Sequence, residues 1–273
     1  MTPSRKPLPE KEKEALFLIL SDDDPSLFEA LARKLAEIPE SEFREISLRF
    51  DPEAKNFPSS LAEATRLRVL TAFAQNAAEE DPDLERGLLL LSAWGHPSHA
   101  RRAPGALLDR FASEVIALAG GGRTLPQALV HHLFAIEKFR GDDSCFDDPD
   151  GHYLATALER RRGVPIVLAS IVLLVARRAG VEVHAIGSPG HFLLGLEIDG
   201  AFRYLDAFGG GRLLDRDAAF ALLPEYARRI NPFPVVETRE ILARTIRNLF
   251  RVYFERDAPD RIRDLEEMLR MLG

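Results

Sequence analysis

Apolar residues recur at three- and four-residue spacing through the first 120 positions. The pattern predicts helices over Glu14–Leu20, Pro25–Ile38, Ser41–Arg49, Ser60–Glu79, Leu84–Trp94 and Pro104–Ala119. Ser60 followed by Glu63, just before Leu67, Val69 and Leu70, has the spacing of a capping box. Gly120-Gly-Gly122 then interrupts the pattern and marks the expected domain boundary.

The period changes after Thr124. Leu125–Phe139 predicts one helix, Gly141–Gly151 an acidic loop, and Tyr153–Arg161 a short helix ending in arginines. The longest apolar run, Val164–Ala176, holds one serine and is shorter than the ~20 residues that a bilayer demands. It predicts a central buried helix instead, opening at Gly163-Val-Pro165, where proline suits the first turn, and closing at Gly180. Val181–Ile186, His191–Ile198 and Ala201–Phe208 predict strands. Further helices are expected over Arg216–Leu223, Thr238–Arg256 and Asp260–Leu272. The fold class is α+β, with a small antiparallel sheet.

Asp199-Gly200 between two of these strands is a strong hairpin signal. If it forms a two-residue turn, Ile198 pairs with Ala201, and the same register sets Leu193 opposite Asp206 and His191 opposite Phe208. His191 and Asp206 become diagonal neighbours on one face, within side-chain reach. A carboxylate that orients an imidazole is two-thirds of a nucleophilic triad.

The nucleophile is missing. A reactive thiol would gain most at the N-terminus of the buried helix, where the helix dipole and free N–H groups favour the thiolate. That turn reads Gly163-Val-Pro-Ile-Val-Leu168, without Cys, Ser or Thr. Ser170 lies more than a turn inside and is expected to face packing. Cys145, the single cysteine, sits among Asp142, Asp143, Asp147 and Asp148, whose field raises a thiol pKa. His131, His132, His152 and His184 show no recognised metal spacing, and no metal or cofactor is expected.

Composition narrows the setting. The chain has 273 residues and a net charge of −7, from 43 acidic and 36 basic residues spread along its length. This argues against general affinity for nucleic acid or anionic membrane. One cysteine permits no internal disulfide, and the charged opening residues carry no secretory leader pattern, so a cytoplasmic location is expected.

Four motifs in order carry a family resemblance: Arg160-Arg-Arg-Gly-Val-Pro-Ile166, Ala176-Arg-Arg-Ala-Gly180, Pro189-Gly-His-Phe192 and Leu205-Asp-Ala-Phe-Gly-Gly210. From Leu125 to Leu223 the chain resembles the SirB-type bacterial transglutaminase-core-like proteins, which have a papain-like fold. The resemblance implies that Pro165 occupies the nucleophile position, that His191 matches the general base and that Asp206 matches its orienting aspartate. Ala207 departs from the proline that often follows this aspartate. The expected organisation is a helical region over 1–122, a transglutaminase-like core over 123–234, and a tetratricopeptide-like helical hairpin over 235–273. The expected function is a pseudoenzyme or scaffold that binds a protein or peptide segment, with Phe192, Phe208 and Arg162 beside His191 and Asp206. The alternatives are acyl transfer or amide hydrolysis through an unconventional nucleophile, and a helical interaction module.

Overall fold

The apolar run after Gly163 becomes the helix around which the rest is arranged. In a computed structural model that describes residues 8–51, 54, 57–96, 104–188, 190–228 and 232–273, this helix, α9, spans Pro165–Ala179. Eleven of its side chains are buried, from Ile166 to Ala179. Each of the larger aliphatic ones contributes roughly 1.5–3 kcal/mol by leaving water. Proline stands at its first position, Val164 caps it without a side-chain bond, and Gly180 ends it at φ 72°.

Around α9 pack α6 (Pro104–Gly120), α7 (Leu125–Val130), α8 (Leu154–Arg160) and α12 (Thr238–Glu255). The single helix expected over Leu125–Phe139 is divided: α7 passes into a π-helical turn, His131–Ile136. The apolar core is continuous across Gly120–Gly122, since Leu108, Phe111 and Val115 share it with Leu129, Leu133 and α9. It also takes in Ile246, Leu249, Leu265 and Met268 from α12 and α13 (Pro259–Leu272).

A second apolar cluster joins α1 (Glu10–Asp22), α2 (Phe28–Glu37) and α3 (Glu40–Ser47) to the first half of α4 (Ser59–Ala77). The second half of α4 enters the main core through Val69, Leu70 and Phe73. Arg66 on α4 and Trp94 on α5 (Leu84–Gly95) both donate to the buried Asp264 on α13; the Arg66 Nε bond is 2.7 Å and the Trp94 bond 2.8 Å. The capping box expected at Ser60 does not form. Pro58 sets the helix start one residue earlier, so Ser60 is buried inside the first turn and Glu63 pairs with Arg66 at 2.8 Å. The capping box that does form joins Thr124 and Gln127 at the start of α7.

The sheet is antiparallel in the order β3 (His184–Ile186), β4 (Leu193–Ile198), β5 (Ala201–Asp206), β6 (Arg212–Leu214). Asp199 (φ 55°) and Gly200 (φ 74°) form the hairpin turn, and pairing runs from Ile198↔Ala201 to Leu194↔Leu205, the register read from the sequence. The strands are shorter than expected: β3 begins at His184, β4 at Leu193, and β5 ends at Asp206. Leu194, Leu196, Ile198 and Leu205 face the main core, whereas Leu193 and Tyr204 join Ile186 and Ala219 on the other side.

β6 was not expected from the pattern. Gly210 and Gly211, both at positive φ, reverse the chain to form it, and a side chain on Gly211 would collide with Phe134. After the short helices α10 (Arg216–Leu222) and α11 (Glu225–Arg228), residues 234–236 run along the free edge of β3. Gly187 N–H donates to Pro234 O and Val236 N–H to Ala185 O, at 3.0 and 2.9 Å. This backbone strap delivers the chain into α12 beside α9. Among the described residues, no helix is long and apolar enough to cross a membrane.

Candidate functional site in the cleft at the start of α9

Three backbone devices converge where α9 begins. β1 (Arg140–Gly141) pairs in parallel with β2 (Arg162–Gly163), just before the helix. Gly141 N–H donates to Phe208 O at 2.9 Å, which fastens the end of β5 to the same ladder. Val164 N–H donates to Gly151 O at 3.1 Å. Residues distant in sequence are thereby laced around the first turn of α9.

Pro165, Ile166, His191 and Phe192 line one cavity of about 430 Å³ there. His191 lies in the turn before β4, its N–H donating to Ser188 O. Its Nε2 stands 3.6 Å from Asp206 Oδ1, beyond hydrogen-bond length but within range of ionic attraction. The sequence had brought these two side chains within reach, and the structure brings them together. Asp206 is 1 % exposed and well satisfied: it accepts from Gly209 N–H at 2.8 Å and from Arg212 Nη2 at 2.6 Å. Burial pushes its carboxyl pKa up, but His191, Arg212 and the Gly209 N–H outweigh that and hold it at about 2. An ionised Asp206 therefore faces His191 across the whole neutral range.

The remaining expected residues divide. Phe192 is buried in the cavity wall. Phe208 is not among the residues lining the cavity; its ring packs at a tilt against Phe146, which is, with ring centroids 5.5 Å apart. Arg162 is turned away toward the acidic loop, where it pairs with Asp142 at 3.8 Å. Pro189, part of one motif, lies outside the described residues.

The candidate nucleophiles are accounted for separately. Ser170 is fully buried and donates to Ile166 O at 2.8 Å. Cys145 packs against Gly151, and burial, followed by Asp142 and Asp148, pushes its thiol pKa up. It immediately precedes Phe146 in the chain. Ser188 lines the cavity, but its hydroxyl donates to Pro232 O.

Reasoning from the sequence missed the opposite wall. Glu240, Arg244, Arg247 and Asn248 line the cavity from α12. Their spacing of four, three and one puts them on one helical stripe, beside the buried stripe of Ile241, Thr245 and Leu249. That polar stripe was the available signal. Nothing local in the sequence shows which cavity it borders.

The residues that form this arrangement coincide with a known sequence family. The transglutaminase-like superfamily profile matches residues 104–247, just over half of the chain. The chain belongs to the transglutaminase-like superfamily. This transglutaminase-like chain is 39 % identical over 145 residues to a UPF0162 protein of Xylella fastidiosa, covering 49 % of this chain and 50 % of that one. It is 28 % identical over 180 residues to a UPF0162 protein of Pseudomonas aeruginosa, covering 63 % and 65 %. Mouse F-box only protein 21 is 30 % identical over 130 residues, 45 % of this chain and 21 % of its own. The chain thus spans about half the length of the Xylella relatives it matches. No solved structure gives a significant match.

Proposed function

We propose that this chain is a SirB-type, non-catalytic member of its superfamily, whose cleft binds a peptide or protein segment. Pro165 would occupy the nucleophile position, with His191 and Asp206 retained as a binding and positioning pair. One observation carries this reading: Pro165 and His191 line the same cavity, and the only hydroxyl among the described residues that line it, that of Ser188, is committed to Pro232 O. Among the described residues that line it, none offers a thiol. The expected cytoplasmic setting and the division into helical region, core and closing hairpin remain part of this proposal.

Pro165→Cys tests it. The variant is expected to gain a thiol that reacts with iodoacetamide faster than Cys145 does, and His191→Ala in the same background is expected to remove that advantage. A reading as an acyl-transfer enzyme draws on Cys145 beside Phe146. Labelling of Cys145 in the natural sequence that depends on His191 would favour it and overturn the non-catalytic reading.

A further inference from the structure

We infer that the cleft is built for the free C-terminal carboxylate of an extended peptide whose last side chain is apolar. This rests on the proposed reading of the cleft as a binding site, and it names the ligand's chemistry. The two walls of the cavity differ in character. Phe146, Pro165, Ile166 and Phe192 supply apolar surface on one side, and α12 presents Arg244, Arg247 and Asn248 on the other.

The charges in that wall are unequal. Among the described residues that line the cavity Glu240 is the one acidic group, and both guanidiniums share it: Arg244 Nε at 2.7 Å and Arg247 Nη1 at 3.3 Å. Arg244 Nη1 also donates to Ser188 O at 3.4 Å, while the Arg247 side chain is 56 % exposed at the rim. Two positive charges against one negative leave a single uncompensated positive charge. The Asn248 side chain has no hydrogen-bond partner among the described residues, and neither has the N–H of Ile166.

This balance selects among anions. A monoanionic carboxylate neutralises the surplus charge, and the planar guanidinium fork suits its two oxygens. A dianionic phosphate would exceed the surplus and meet Glu240. A free amino acid is disfavoured too, because its ammonium needs a carboxylate and Glu240 is already shared by two arginines. A peptide end has no such ammonium. Its terminal side chain can lie on the Phe146, Pro165 and Phe192 surface while the preceding residues leave through the open mouth. The volume lies within the range of small-ligand sites, roughly 300–1,000 Å³.

The test uses the full chain and fluorescence anisotropy. The probes are N-terminally fluorescein-labelled five-residue peptides ending in Leu, Phe or Asp, each made as a free acid and as a C-terminal amide. Leu and Phe acids are expected to bind about tenfold more tightly than their amides, the worth of one charged hydrogen-bonded contact. Arg247→Gln is expected to erase that difference with an unchanged circular dichroism spectrum and melting temperature, since Arg247 is exposed. Acetate is expected to compete better than inorganic phosphate. Equal binding of acids and amides, with competition between them, would overturn the carboxylate inference and leave the peptide-binding cleft standing. Tighter binding of the Asp peptide, stronger competition by phosphate, or no effect of Arg247→Gln would also overturn it. So would no binding by any peptide, with the Pro165→Cys labelling still judging the non-catalytic reading separately.

Discussion

Two of the imidazole–carboxylate pairs in this fold, His191–Asp206 and His132–Glu114, differ in kind. His191 lines a cavity, with its side chain 19 % exposed and a buried aspartate behind it. His132 stands in the π-helical turn, 2 % exposed, with Nε2 3.2 Å from Glu114 and its ring against Phe111. The donor atoms of Glu114, His132 and Glu137 lie within 4.8 Å of one another, a spacing open to a metal ion. Yet Glu137 is already held by Arg161, through Nε at 2.8 Å and Nη2 at 2.6 Å. Arg110 stands beside both carboxylates as well, 3.8 Å from Glu114 and 3.7 Å from Glu137, so two guanidiniums face two carboxylates and the cluster is internally balanced. The comparison teaches that the pairing alone carries no functional meaning. What distinguishes His191 from His132 is that its carboxylate partner is satisfied from behind and its ring borders a cavity.

The largest effect that would sharpen this contrast is on stability. His132→Ala should cost about 3–4 kcal/mol, because it empties a fully packed position. His191→Ala should cost less than about 1 kcal/mol, as expected of a partly exposed side chain. Urea denaturation of the two variants measures both, and equal losses would break the distinction.

Acid sensitivity comes next. Burial, only partly offset by the bond to Phe146 O, pushes the pKa of His152 down to about 4. A histidine that is harder to protonate when folded stabilises the fold fully above its ordinary pKa of about 6.5, and this is lost as pH falls toward 4. The drop amounts to about 3 kcal/mol. Burial lowers the pKa of His132 as well, which acts in the same direction. Denaturant midpoints measured between pH 7 and 4 should fall accordingly, and less steeply in His152→Gln. His152 supports the Phe146 carbonyl, so the cavity wall should loosen over the same interval.

Asp206 gives the smallest of these shifts, at lower pH. Held at about 2 rather than near 3.8, it adds about 2 kcal/mol that is complete above pH 4 and disappears as pH falls toward 2. Asp206→Asn should lose that increment at neutral pH and flatten the acid limb of the stability curve. An unchanged acid limb would mean that Arg212 and Gly209 do not hold the carboxylate as described.

What was legible in the sequence follows from the range of the forces involved. Asp199-Gly200 dictates a turn with both residues at positive φ, and the turn dictates a register, so the approach of His191 to Asp206 could be read without coordinates. The buried character of α9 was equally plain, because its apolar residues leave no polar face. The arginine wall could not be read, because the meeting of residues 244–248 with 165 and 191 depends on tertiary packing that one sequence does not encode locally. β6 was too short to show a period, and the start of α4 was misplaced because Pro58 outranked the serine–glutamate spacing. Arg162 was expected at the site, but the nearby acidic loop offered it a partner.

The strap at residues 234–236 has a consequence for how the cleft can be altered. It occupies the hydrogen-bonding groups along one margin of the sheet, which blocks that margin from pairing with a stray strand from another molecule. It also joins the arginine-bearing helix to the histidine-bearing sheet by main chain. The distance across the mouth is therefore set by peptide groups, and exchanging charged side chains on either side retunes selectivity while the aperture keeps its dimensions.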